Sequence, residues 1–424
     1  MRYIIRLIIL FVTVNSFSQQ YLSIPFESNQ LGETRDLRIF LPKSYEQDST
    51  KLYPIAIVLD GNELFDLYVG NSVYFASKEK APEQIVIGID QSNKKRYSDC
   101  SYNIQSGLPE GSSDRFYKFL RSELLQYLEA NYRISPFKTI VGSTLTANFT
   151  NYLLVEEKRT FNAFININPY YAHSIASMAV KTASKESKDD IYYYLCSGDY
   201  LSQKKLAGIT KINRILEKVE NKHFNYKYDV FDGSTKISSA GQAIPKATEY
   251  IFEIFSPITK EEFNTKIKDL SPADAIAYLE KKYVEIDYLF GANIKMRERD
   301  IYKIEPIIIE KENGEYLRDF GELIYKHYPE SPLSEYYIGL DYEMRGRYKQ
   351  AAEAYKEGYM KIEGDSEAAD QFYKNVERVE DKMVLDDRKR AKEEKEWEEE
   401  EQEYQDTPQD EEYNEEQPTE SEEY

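Results

Sequence analysis

Lys138-Thr139-Ile140-Val141-Gly142-Ser143-Thr144-Leu145-Thr146-Ala147-Asn148-Phe149 decides the fold of this chain. A short apolar run reaches Gly142, turns sharply and enters a helix beginning near Ala147, which reads as a buried strand handing over to a helix. Outward from this junction, residues 53–61 and 85–90 are continuous apolar runs ending in Asp60-Gly61 and Asp90, as buried parallel strands do. Residues 35–42 alternate as an early strand closed by Pro42. Phe116, Phe119, Leu120, Leu124, Tyr127 and Leu128 recur at helical spacing. Strands are predicted at 161–167, 191–197 and 226–231, followed by the loop Asp232-Gly233-Ser234-Thr235-Lys236 and a helix through Ile254. Such alternation predicts a domain over residues 20–257 with a mostly parallel sheet covered by helices on both faces.

The chain has 424 residues, 41 % of them hydrophobic, enough for two or three domains with a sizeable core. Its first residues run basic, apolar and then small: Met1-Arg2-Tyr3-Ile4-Ile5-Arg6, Leu7 to Val12, and Ser16-Phe17-Ser18-Gln19. This is the order of a secretory signal peptide over residues 1–19, cleaved near Ser18; the alternative is a buried first strand. A membrane anchor needs about 20 apolar residues, and no other run approaches that length, so a soluble exported product is expected, periplasmic or associated with an outer membrane. No cysteine at the junction supports lipid attachment. Only Cys100 and Cys196 are available for a disulfide, which an oxidising compartment permits; two separate buried thiols are the alternative.

From Glu393 to Tyr424 seventeen acidic residues face one lysine, so −16 of the net −20 lies in this tail. The body is mildly acidic, and nucleic acid is excluded as a partner on charge. Residues 258–385 read as helical. Within them Gly339, Tyr342, Gly346, Tyr348, Ala351 and Tyr355 are spaced as in one tetratricopeptide repeat, whose small residues let two helices pack while aromatics fill the gap. One repeat cannot bury its own face, so neighbouring helices between residues 301 and 328, or the first domain, complete the stack. Phe372, Val376, Val379 and Met383 form a stripe expected to dock on it. Residues 386–424 read as a solvated charged helix and, from about Tyr404, a disordered acidic tail, either a solubilising spacer or an arm for docking or cation binding.

Several blocks in order resemble the esterase family of α/β-hydrolases that includes esterase D and the siderophore esterases: Leu31-Gly32-Glu33-Thr34-Arg35, Tyr53-Pro54 with Leu59-Asp60-Gly61, Val86-Ile87-Gly88-Ile89-Asp90, Glu129-Ala130-Asn131-Tyr132-Arg133, the 138–149 stretch, and Phe161-Asn162-Ala163-Phe164. The resemblance covers residues 31–257, and a helical C-terminus follows the esterase domain in some bacterial members. It implies a nucleophile elbow, a strained strand-to-helix turn carrying a serine in G-x-S-x-G. The family's Gly-His-Ser-Leu-Gly-Gly stands here as Gly142-Ser143-Thr144-Leu145-Thr146-Ala147. Its catalytic histidine, in Phe-x-Gly-x-x-His-x-Ser, aligns with Lys236. Asp199, in Ser197-Gly198-Asp199, matches the region of the acidic partner. The oxyanion-hole amides fall at Gly61, Asn62 and Leu145.

Nucleophile and base are thus both altered. Ser, His and Asp act as a unit, because the imidazole takes the hydroxyl proton on attack and returns it to the leaving group. Losing either Ser or His costs on the order of a million-fold in a serine protease, about 8 kcal/mol of barrier. A β-branched residue with positive φ is an outlier, so the turn is predicted to relax, leaving Thr144 as an ordinary helix-start residue whose hydroxyl caps nearby amides. Thr146 adds bulk where glycine allowed close passage. The chain has three histidines, His173, His223 and His327; His173, after the strand that follows the elbow, overlooks the cleft as a rim residue, with a catalytic base as the weaker alternative. A lysine becomes a base when burial depresses its pKa, which makes Thr144 with Lys236 the enzymatic alternative. Spacings such as C-x-x-C, H-E-x-x-H or a phosphate-binding glycine loop are absent from the sequence, so neither metal nor cofactor is predicted. The reading is a pseudo-hydrolase that binds protein partners in a bacterial envelope assembly; the alternative is an acting carboxylic ester hydrolase.

Overall fold

The structure, a computed structural model, describes residues 21–406 except 157, 186–188 and 312–313. The expected signal peptide and the acidic tail beyond Asp406 lie outside the described residues. What is described divides into two compact units: residues up to Thr265 together with Ala277–Asp300, and Lys266–Ile276 together with residues from Ile301 on.

In the first unit the strands are β1 (Tyr21–Ser28), β2 (Glu33–Phe40), β3 (Tyr53–Val58), β4 (Ile85–Ile89), β5 (Ile134–Ser143), β6 (Ala163–Ile167), β7 (Ile191–Gly198) and β8 (Phe224–Phe231). They form one sheet in the order β1-β2-β4-β3-β5-β6-β7-β8. The first two strands pair antiparallel and β2 runs antiparallel to β4, while the rest of the sheet is parallel. The sheet is therefore mostly parallel, as expected. Every residue of β3, β4 and β6 is buried, the pattern that helices on both faces impose on a continuous apolar run. By contrast, β1 is mostly exposed, and as an edge strand it tolerates Pro25, which has no N–H for a ladder.

The longer α-helices of this unit are α1 (Gly61–Ser77), α2 (Asn93–Cys100), α3 (Ser112–Lys118), α4 (Leu125–Asn131), α5 (Leu145–Leu154), α6 (His173–Ala183), α7 (Gln203–Leu216), α8 (Lys236–Ile251) and α9 (Pro272–Phe290), whose last fourteen residues belong here. A boundary at residues 257/258 would leave all of α9 outside. Its C-terminal half groups with the sheet because Phe290 is fully buried against Phe137 and Phe252, ring centroids 5.0 and 5.3 Å away. Cys100 and Cys196 are both free and buried, so they are the two separate thiols of the alternative reading; burial pushes the Cys196 thiol up to about 12.

The strand order fixes where a site can form. From β3 the chain moves to β4 on one side, then crosses back to β5 on the other side of β3, so the order reverses between β3 and β5. Crevices open at such switch points, beyond the carboxyl ends of the strands. Asp60 follows β3 and Thr144 follows β5, which places both at the mouth of that crevice.

The second unit contains α10 (Glu298–Lys311, from Ile301 on), α11 (Leu317–His327), α12 (Leu333–Met344), α13 (Tyr348–Met360) and α14 (Glu367–Asp406). Gly339 earns its place here, since a Cβ would lie 2.6 Å from the Tyr355 ring. Phe372, Val376 and Val379 of α14 pack with Ala351, Ala352 and Tyr355 of α13, so three residues of the expected stripe dock, while the half-buried Met383 is not part of this cluster. From residue 386 to 402 the helix is exposed apart from the half-buried Asp386, and its backbone continues to Asp406, two residues past the expected start of the tail.

Candidate active site

The elbow is present and it is not relaxed. Thr144 has φ 57° and ψ −101°, and its hydroxyl caps no amide of α5. The expectation of an ordinary helix start fails because the backbone is held from three directions. The Thr144 N–H donates to the Ile167 carbonyl at 2.8 Å, and its own carbonyl accepts from the N–H groups of Tyr170 and Asn148 at 3.0 and 3.1 Å. Such a conformation costs on the order of 1–3 kcal/mol and persists only where its surroundings over-determine it. Gly142 makes the turn possible: a Cβ there would meet backbone atoms of Thr146 and Ala147 at 2.7 Å.

Thr146 does not obstruct the passage of strand and helix. Fully buried, its hydroxyl accepts from the Ser143 N–H at 2.7 Å and lies 2.6 Å from Asp60 Oδ2, to which it donates. In place of a glycine the chain has a bridge from the first turn of α5 to the end of β3.

Asp60 is 1 % exposed and adopts a left-handed conformation, φ 53° and ψ 41°. Arg96, from α2, grips its carboxylate with Nε to Oδ1 at 2.6 Å and Nη2 to Oδ2 at 3.2 Å. The same Nη2 donates to the Ser143 carbonyl at 2.6 Å and to Thr144 Oγ1 at 2.5 Å. Burial pushes the Asp60 carboxyl up, against the pull of the Arg96 guanidinium and the Thr146 hydroxyl. Behind this pair the Asp60 N–H donates to Gln91 Oε1 at 3.1 Å, and Gln91 Nε2 donates to Asp99 at 2.8 Å. Arg35 closes the far side of Asp99 with bonds of 2.6 and 3.1 Å.

None of the remaining predicted positions is hydrogen-bonded to the Thr144 hydroxyl among the described residues. Lys236 begins α8 and its Nζ pairs with Glu63 Oε2 of α1 at 2.9 Å, both side chains being more than 40 % exposed. Asp199 Oδ2 accepts from the Gly233 N–H at 2.7 Å, so it ties down the loop that leads to Lys236. His173 is exposed at the start of α6, His223 Nδ1 lies 2.8 Å from Asp190, and His327 ends α11 in the other unit. Gly61, Asn62 and Leu145 occupy the first turns of α1 and α5. Their N–H groups have no hydrogen-bond partner among the described residues, while the Gly61 carbonyl accepts from Arg38 and the Asn62 side chain from the Gln91 N–H at 3.3 Å.

Chemically, the side chain bonded to the Thr144 hydroxyl, Arg96, is a donor. A guanidinium donates only and takes no proton, and both Asp60 oxygens are already engaged. Among the described residues no side chain accepts the Thr144 hydroxyl proton. No group of three or more His, Cys, Asp or Glu side chains able to hold a metal ion occurs among them, and no described helix is long and apolar enough to cross a membrane. Sequence reading missed Arg96, since Lys94-Lys95-Arg96 gives no sign of which basic residue turns inward; the position of the segment just after β4, at the switch point, was the usable signal.

The comparisons agree with this fold. The crystal structure of an uncharacterised protein from Capnocytophaga ochracea DSM 7271 superposes with a TM-score of 0.77 at 22 % identity, covering 85 % of this chain and 99 % of that one. An IroE-like serine hydrolase from Shewanella oneidensis gives 0.54 at 18 % identity, over 69 % of this chain and 95 % of that one. Both likenesses concern the fold. No curated protein sequence matches the chain. The family model described as "Putative esterase" matches residues 28–246, just over half of the chain, and the protein accordingly belongs to that esterase family, with an α/β-hydrolase-like fold.

Proposed function

We propose that this protein is a pseudo-hydrolase: an esterase-like domain that binds or scaffolds instead of cleaving, joined to a tetratricopeptide-like helical unit that contacts protein partners in a bacterial cell-envelope assembly. The observation that carries the reading is the bonding of Thr144. Its hydroxyl is held by Arg96, no imidazole is hydrogen-bonded to it, and the amine at the base position is drawn off to Glu63. The leader-like first residues support export, and the helical unit supports a role in protein contacts. Purifying the tagged protein from its native envelope tests this: stoichiometric partners are expected, and a partner-free monomer counts against it.

A second reading, an acting carboxylic ester hydrolase that uses Thr144 with an atypical base, is favoured by the retained φ of 57°. A turn with no catalytic task gains nothing from that strain. Turnover of short acyl esters that disappears in Thr144→Ala would establish it.

A further inference from the structure

At the end of the sheet away from Thr144 lies a cavity of about 480 Å³. It is bounded by the end of β2, where Phe40 pairs with Val86 near the start of β4, by the C-terminal half of α1, and by the residues just before β4. Its volume falls within the roughly 300–1,000 Å³ of small-molecule sites. Phe40, Leu41, Val73 and Ala76 make its apolar wall.

Two polar side chains that also line it are almost completely buried, Gln84 at 1 % and Ser72 at 3 % exposure. Gln84 Oε1 accepts from the Tyr68 hydroxyl at 3.1 Å, and Nε2 spends one proton on Ser72 Oγ at 3.3 Å. The second amide proton of Gln84 and the hydroxyl proton of Ser72 have no acceptor among the described residues. Buried donors are normally satisfied, and each left unmade is costly. Two spare donors beside an apolar wall call for a carbonyl oxygen at the head of an apolar chain. Of the charged residues lining the cavity, Lys43 and Glu83 cancel in sign, and Glu83 is further paired with Lys51 at 2.6 Å. The wall therefore offers no net charge to attract a free carboxylate.

We propose that this cavity binds a neutral aliphatic acyl compound, an ester or amide, with its carbonyl accepting from Ser72 and Gln84 and its chain against Phe40, Leu41, Val73 and Ala76. This site is separate from the elbow and stands whether or not Thr144 acts. Titration of the mature chain with 1-octanoylglycerol, followed by calorimetry, tests it. Saturable one-site binding is expected, weakened about tenfold in Ser72→Ala and abolished in Ala76→Trp, which fills the cavity. Val73→Trp is the second filling variant, and each is read only where its melting matches that of the parent. On the unaltered protein, 1-O-octylglycerol, which lacks the carbonyl, should bind at least tenfold more weakly, and so should octanoate. The proposal is overturned if 1-octanoylglycerol does not bind, if a folded filling variant binds it undiminished, or if the ether or octanoate binds as tightly as the ester.

Discussion

Asp60 in the crevice and Glu343 in the helical unit are built from the same parts, a carboxylate met by arginine and a hydroxyl, yet their acidities move in opposite directions. Asp60 is buried, and desolvation raises it despite Arg96 and Thr146. Burial also works against Glu343, but hydrogen bonds from Arg378, Lys382 and Tyr355 more than reverse it and hold the carboxyl at about 2. The difference lies in depth and in the number of donors: Asp60, 1 % exposed, has one cation, Arg96, whereas Glu343, 6 % exposed, has two cations that are themselves more than 40 % exposed, with the Tyr355 hydroxyl besides. Glu343 is thus a clamp between α12 and α14, stabilised by partners that stay hydrated. Asp60 is maintained against a desolvation penalty, as part of a cluster that fixes a strained turn.

The sharpest way to break this comparison is to remove one cation from each cluster. Arg96→Met leaves Asp60 buried without a counter-charge and should destabilise the protein by about 3–5 kcal/mol, measured by urea unfolding. Adding Asp60→Asn should recover most of the loss; no recovery would show that Arg96 matters for packing and not for charge. Thr146→Val strands the Ser143 N–H and leaves Asp60 Oδ2 with Arg96 alone, and should cost about 1–3 kcal/mol. Glu343→Gln should cost less, about 1–2 kcal/mol, because its cations regain water.

Acid sharpens the same contrast. The folded carboxyl of Glu343 is depressed from 4.5 to about 2, so its contribution is complete above pH 4.5 and is lost as pH falls toward about 2. Asp60, raised in the folded state, holds its proton more tightly there and adds no such loss on acidification. Helical signal from the second unit should therefore loosen between about pH 4.5 and 2 in the parent and move little in Glu343→Gln. The smallest effect is expected from Thr144→Gly: released backbone strain of about 1–3 kcal/mol nearly offsets the lost Arg96 bond, so stability should change by under about 1 kcal/mol.

Much of the fold was legible because burial on both faces leaves unbroken apolar runs; β3, β4, β6 and β7 could be read from composition alone. β1 was not, since its edge position leaves most residues exposed and its alternation weak. The elbow was located by Gly142 and the flanking strand and helix, but its geometry was misjudged. Propensity disfavours a threonine at positive φ, and the restraints that overrule it, from Ile167, Tyr170, Asn148 and Arg96, come from sequence positions up to 48 residues away. The displacement of Lys236 was hidden for a similar reason: Glu63, its partner, is 173 residues distant. A substituted triad position names what is missing, while what occupies the crevice instead depends on long-range contacts that only the fold supplies.

The central proposal, that Thr144 is ordered but not activated, is tested most directly by exposing the mature protein to a fluorophosphonate probe alongside a short acyl ester. No adduct on Thr144 and no ester turnover above that of Thr144→Ala is the predicted result. A stoichiometric Thr144 adduct, with turnover that vanishes in Thr144→Ala, would contradict it.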